Sequence, residues 1–182
     1  MLLFHFFFLL ATLLPSRQQG QVFVTKNGNV HFKSDAPLEV IEASSSALHG
    51  AMDLDNRTFA FTLDIKSFQG FNSPLQREHF FENYMETKRF PKSTFTGKLI
   101  EATDLAKEGE YTVRAKGKLD IHGVAQERII KSEVKSKDGK LYLRSVFTVL
   151  LKEHDITIPK IVHQKIAEEI TVSIEAELIK ER

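Results

Sequence analysis

Cysteine is absent from the chain, which removes disulfides, thiolate nucleophiles and thiolate metal sites in one step. Stability must come from packing alone. An excess of charge is missing too: 25 Lys and Arg face 24 Asp and Glu, for a formal net charge of +1. No global field steers such a chain toward nucleic acid or an anionic surface. The seven histidines never fall as His-x-His, His-x-x-His or His-x-x-x-His, the spacings that set two metal ligands on one strand or helix face. No Gly-x-Ser-x-Gly elbow, phosphate-cradling glycine loop or dinucleotide fingerprint occurs, and no internal repeat or low-complexity stretch interrupts the chain.

What is present suits one domain. The 182 residues, 42% hydrophobic and 27% charged, are enough for one real core and too few for two comfortable ones. Met1 to Pro15 carries no charge, and the first basic residue is Arg17. This run reads as the apolar region of a secretory signal peptide and falls short of the roughly 20 residues of a transmembrane helix. The expected organisation is a signal peptide over residues 1–20, with Gly20 before Gln21 as the best small-residue cleavage point, and one domain over 21–182. After cleavage that domain has no integral membrane span and no cysteine for a lipid anchor. Its expected location is the periplasm or the extracellular space. Asn56-Arg57-Thr58 matches a glycosylation sequon, which matters only in a eukaryotic secretory host.

From Gln21 onward apolar and polar residues alternate with period two, the mark of strands with one buried face. Phe59, Phe61, Leu63 and Ile65 form one such set; Tyr111, Val113, Ala115, Gly117, Leu119 and Ile121 a second; Leu141 to Leu151 a third; Ile170 to Leu178 a fourth. Turn signals at Asn27-Gly28, Asp55-Asn56, Glu108-Gly109, His122-Gly123 and Asp138-Gly139 separate them. Strands are predicted at 22–25, 28–34, 46–53, 57–65, 93–101, 110–121, 124–136, 140–152 and 168–179. Long meandering strands favour an all-β, closed antiparallel barrel of about eight strands, because closure removes the edges. One short helix is inserted: Ser73-Pro74-Leu75-Gln76 supplies an N-cap, a proline at the first helical position and a glutamine three residues on. It is predicted to run to about Met85, presenting Leu75, Phe80, Phe81, Tyr84 and Met85 over one end of the barrel.

The lumen-facing candidates are Phe59, Phe61, Leu63, Tyr111, Val113, Phe147 and Ile174, beside the smaller Ala115, Gly117, Ser145 and Ala176. An eight-stranded barrel is just wide enough to be filled by side chains or to hold one ligand, and alternation leaves both readings open. The opposite face carries Arg114, Lys116, Lys118, Lys131, Lys135, Glu175 and Glu177, which suit water. Together with the inserted helix and the charged C terminus, they argue against a barrel seated in an outer membrane.

Three stretches carry a family resemblance: Gln76-Arg77-Glu78-His79-Phe80; Arg89-Phe90-Pro91 followed by Phe95; and Gly117-Lys118-Leu119-Asp120-Ile121-His122-Gly123-Val124. They resemble the YceI family, polyisoprenoid-binding proteins with a lipocalin-like barrel, over roughly residues 22 to 180, and the last stretch is the most specific. A Phe-Phe pair of the family corresponds to Tyr84-Met85 here, with one residue fewer before it, so the helix is expected to sit differently over the pocket. The resemblance implies a largely hydrophobic tunnel for an isoprenoid-like or acyl chain, with no cofactor, no metal and no catalytic residues to carry over. The expected function is an exported binding or carrier protein for a long-chain apolar lipid such as a polyisoprenoid, a prenyl quinone or an acyl chain. The tail would lie along the lumen-facing set and Phe95, with Phe80, Phe81 and Tyr84 over the mouth. Two rivals stand beside it: a filled barrel serving as a protein-interaction or envelope-stress module, and an acid–base enzyme using His79 or His122 with Glu78 or Glu82. The sequence leaves a homodimer open.

Overall fold

In the computed structural model, which describes residues 20–181, the alternation becomes eight strands. They are β1 (Val22–Asp35), β2 (Val40–Asp53), β3 (Thr58–Asp64), β4 (Lys92–Leu99), β5 (Gly109–Ile121), β6 (Val124–Lys137), β7 (Lys140–Leu150) and β8 (Glu169–Lys180). Every consecutive pair is antiparallel. β1 also pairs with β8, Val30 lying opposite Ile174, and this closes the barrel. The expected signal peptide, apart from Gly20, lies outside the described residues.

Two hairpins form as their turn residues dictate. His122 (φ 54°) with Gly123 (φ 74°), and Asp138 (φ 52°) with Gly139 (φ 71°), hold the left-handed backbone of a two-residue turn whose twist matches the flanking strands. Glu108-Gly109 instead closes a longer loop, residues 100–108, between β4 and β5. Asn27-Gly28 is not a turn at all, so the predicted strands 22–25 and 28–34 are one. The register against β2 shifts between Thr25 and Gly28 and shifts back before Val30, a bulge inside β1. Glycine is needed there for closeness: a Cβ on Gly28 would sit 3.0 Å from the Ala176 Cβ and 3.1 Å from Leu48 Cδ2.

Between β3 and β4 the chain crosses one end of the barrel. The Ser73 hydroxyl accepts from the Gln76 N–H at 3.1 Å and opens α1 (Pro74–His79). Phe80–Tyr84 continue it as a single π-helical turn. The interior divides in two. At the far end Leu105, from the β4–β5 loop, packs with Val113, Val134, Leu141 and Leu178, all almost fully buried. Toward the helix, Val30, Phe32, Ile41, Leu63, Phe68 and Ile170 form a looser ring beneath the α1 region.

Candidate functional site

Between the packed floor and the helical cover the barrel holds an apolar cavity of about 530 Å³, within the range of about 300–1,000 Å³ usual for small-molecule sites. Alternation places its walls: every second residue of a strand points inward. Phe59, Phe61 and Leu63 come from β3, Phe95 from β4, Val113 and Ala115 from β5, Phe147 from β7 and Ile174 from β8, and all line the cavity. Phe80 and Tyr84 line it from above. Burial holds the Tyr84 phenol above its ordinary pKa, so it stays a neutral hydroxyl.

Three expected residues lie elsewhere. Tyr111 is carried past the cavity toward the far end of β5, where its hydroxyl donates to the Lys107 carbonyl at 3.0 Å. Gly117 faces Gly97 across the β4–β5 ladder, and a Cβ on it would meet the Thr96 carbonyl oxygen at 2.3 Å. Its smallness admits a neighbouring strand and leaves no room for a ligand. Phe81 stacks outside, edge-on to Phe80 at 5.4 Å and to Phe71 at 6.0 Å between ring centroids. Of the expected small residues, Ser145 lines the cavity, while Ala176 packs against Gly28.

The sequence pointed to Phe80 over the mouth but not to the three rings packed against it, Phe32, Phe68 and Phe71. Phe32 on β1 stacks on Phe80 at 5.2 Å and meets Phe68 edge-on at 5.1 Å; Phe71 lies 5.0 Å from Phe80. All four line the cavity. Phe32 was legible from its alternation with Val30, but Phe68 and Phe71 sit in an irregular loop with no periodic signal.

Three hydroxyls of the wall are hydrogen-bonded within the barrel. The Ser132 hydroxyl donates to Ser145 at 3.2 Å, and Ser145 in turn donates to the Lys131 carbonyl at 3.1 Å. Ser34 accepts the Ala167 N–H at 2.9 Å. Ionisable side chains enter the lining at the mouth, where Glu39, His79 and Lys165 join it. Among the described residues no group of three or more His, Asp or Glu side chains is placed to hold a metal ion.

The residues of the expected acid–base set fall in two places. Glu78, His79 and Glu82 are exposed on the cover, and buried His122 belongs to a different cluster. Its Nε2 lies 2.8 Å from Glu86 Oε2 and its Nδ1 3.0 Å from the His154 carbonyl oxygen. Arg89 donates to the other Glu86 oxygen at 2.8 Å. The Arg89 and His122 hydrogen bonds hold the Glu86 carboxyl below its ordinary pKa. His154, almost fully buried, spans to the Val124 carbonyl at 2.9 Å. Because neither His122 nor Glu86 lines the cavity, their arrangement is a tie between the end of the cover, the β5–β6 hairpin and the segment after β7.

The fold and cavity define a closed eight-stranded barrel with an internal apolar pocket under a helical cover. The YceI-like domain family matches residues 21–178, and the chain belongs to that family. A polyisoprenoid-binding domain from Saccharophagus degradans implicated in plant cell wall breakdown superposes with a TM-score of 0.77 at 12% identity, covering 89% of this chain and 99% of that one. Burkholderia cenocepacia BcnA gives 0.69 at 15% identity, covering 82% and 95%. A Campylobacter jejuni YCEI protein gives 0.54 at 20% identity, covering 72% and 78%. A search of curated proteins finds no match.

Proposed function

We propose that the protein is an exported carrier that holds a long-chain apolar lipid, of polyisoprenoid, prenyl-quinone or acyl type, inside its barrel. The observation that carries this reading is the cavity of about 530 Å³ walled by phenylalanine, leucine, isoleucine and valine side chains in a chain of the YceI-like family. A barrel that served only as an interaction module would have no use for that space, since interiors otherwise pack to crystal density. Binding needs no directional chemistry. Each buried methylene contributes about 0.8 kcal/mol, so a chain of about ten carbons supplies about 8 kcal/mol, the equivalent of roughly micromolar affinity before ordering costs, and a longer tail offsets those costs. The outward strand faces support free passage through water: Arg114, Lys116, Lys118, Lys131, Lys135, Glu175 and Glu177 are all exposed. Among the described residues no helix is long and apolar enough to cross a membrane.

The test is native mass spectrometry of protein purified from its own cell envelope, repeated after organic extraction. A stoichiometric prenyl or acyl lipid in the extract establishes the carrier and names its cargo. A clean apo mass that persists after incubation with prenyl quinones and fatty acids overturns the reading in favour of an interaction or envelope-stress module.

A further inference from the structure

Three distant segments meet at the mouth of the cavity and are stitched together there. Leu38 N–H, in the β1–β2 turn, donates to the Gln164 carbonyl at 2.9 Å. Asn72 Nδ2, just before α1, donates to the Val40 carbonyl at 2.9 Å, and Gln76 Nε2 donates to Glu39 Oε1 at 3.0 Å. The rim is therefore built, and what it turns outward is apolar. Leu38 is 67% exposed, Leu75 60% and Ile161 92%. Single exposed apolar side chains are ordinary on a protein surface. These three belong to the segments that surround one opening.

Charge adds a second, independent observation. The connection 156–167, Ile-Thr-Ile-Pro-Lys-Ile-Val-His-Gln-Lys-Ile-Ala, carries Lys160 and Lys165 and no carboxylate between Asp155 and Glu168, and Glu39, the carboxylate that lines the mouth, is engaged by the Gln76 amide. Ile161 follows Lys160 directly at its exposed tip, and Lys165 borders the cavity itself. Apolar tips with lysines beside them match the interfacial region of an anionic bilayer, where apolar groups enter the acyl boundary and ammonium groups stay with the phosphates.

We propose that this rim docks on a lipid bilayer bearing anionic headgroups, with Leu38, Leu75 and Ile161 entering the interface and Lys160 and Lys165 resting on the headgroup phosphates. A second copy of the chain fits the same face poorly, because a two-fold contact would bring this lysine-bearing, carboxylate-free segment against its own copy. Docked in this way, the mouth opens onto the acyl region, so a lipid tail could enter without crossing water. The use of docking for loading rests on the carrier reading; docking itself does not.

The chain contains no tryptophan, so one introduced reporter can be read alone. Ile161→Trp is made in the full chain, with Tyr142→Trp, at the far end of β7, as the control. Emission is followed on cargo-free phosphatidylcholine vesicles with brominated acyl chains, with and without phosphatidylglycerol. The N-terminal segment is common to all variants, and the reporter reads depth only where it stands. The expected result is a blue shift and quenching for the reporter at 161 alone, on the anionic vesicles. Lys160→Glu with Lys165→Glu should weaken partitioning at least roughly tenfold, from a factor of about five per basic residue. A reporter at 161 that stays unquenched on anionic vesicles, or quenching that the lysine reversals leave unchanged, overturns the proposal. So does a blue shift that grows with protein concentration without vesicles, which would mark self-association. Because these vesicles hold no isoprenoid, failure here leaves the mass-spectrometric test of cargo untouched, and failure there leaves docking standing.

Discussion

His122 and Glu86, 36 residues apart in sequence, meet at 2.8 Å, and both hold left-handed backbone, at φ 54° and φ 42°. Neither is glycine, so each position costs about 1 kcal/mol or more of local strain. The strain has a structural return. Glu86 caps the end of the cover, where its carbonyl accepts from Arg89 and Phe90 N–H, and His122 leads the β5–β6 hairpin. The Phe90 ring stands edge-on to the His122 imidazole at 4.6 Å, and a Cβ on Gly123 would lie 2.4 Å from the same ring. Both ring nitrogens of His122 lie within hydrogen-bond distance of oxygen, Glu86 Oε2 on one side and the His154 carbonyl on the other.

That tie makes the cover sensitive to acid. Glu86 has its pKa lowered, first by the Arg89 hydrogen bond and then by His122. A carboxylate with a depressed folded pKa contributes stability above its unfolded value, and that contribution is lost as the pH falls through the folded one. Glu86→Gln should therefore lower Tm at pH 6, and the gap between wild type and variant should close as the pH falls below the ordinary glutamate range. Thermal melts across pH 3 to 7 check this; a gap constant over that range would show that Glu86 acts through shape alone.

Gly97 and Gly117 set the approach of β4 to β5. A Cβ on Gly97 would stand 2.1 Å from the Lys116 carbonyl oxygen and 2.5 Å from the Gly117 Cα, and backbone cannot yield as a flexible side chain can. Gly97→Ala or Gly117→Ala should each destabilise by about 3 kcal/mol or more, lowering Tm by roughly 6–12 °C. Neither glycine lines the cavity, so surviving folded protein should bind ligand with unchanged affinity. A melt within about 2 °C of wild type would mean that the strands can part at little cost.

The barrel was legible because alternation is a local signal that closure only has to assemble. Its failures have local causes as well. The first half of β2 was missed because its inward face is Ile41, Ala43 and Ser45: small or polar residues give weak contrast with their neighbours. Ser45 tolerates burial by accepting the Ala47 N–H at 3.1 Å and sharing a hydrogen bond with Ser67 at 2.6 Å, the latter a partner 22 residues away that no window reveals. Gly28 read as a turn because glycine marks close approach and chain reversal alike. In the site, most of the strand-borne residues expected to face the lumen line the cavity, whereas the rest of the cover depended on Phe68 and Phe71. Which member of an alternating set reaches the cavity, and which the packed floor, depends on height along the barrel. Tyr111 was misplaced for that reason.

Phe32 joins wall to cover, buried against Phe68, Phe71 and Phe80. Phe32→Ala should destabilise by about 3 kcal/mol through lost burial and the void left behind. It should also speed ligand release, since Phe80 would lose the ring it stacks on. Stopped-flow transfer of a fluorescent prenyl or acyl analogue to empty vesicles measures this directly. An unchanged release rate would move the exit path away from α1.

Ala115 offers the converse test, because it fills space without touching the strand spacing. Its methyl lines the cavity from β5, between Val113 and Leu119, which also line it. A phenylalanine there would occupy room that a ligand tail needs. Ala115→Phe should keep the barrel folded, at a cost below the 1–3 kcal/mol usual for overpacking a filled core and a Tm within roughly 4 °C of wild type. Lipid recovered per mole of protein should fall at least tenfold, the equivalent of about two buried methylenes. The pairing of a normal melt with lost cargo is the informative outcome. Full lipid occupancy in a folded Ala115→Phe barrel would move the tail toward the β7–β8 wall at Phe147 and Ile174.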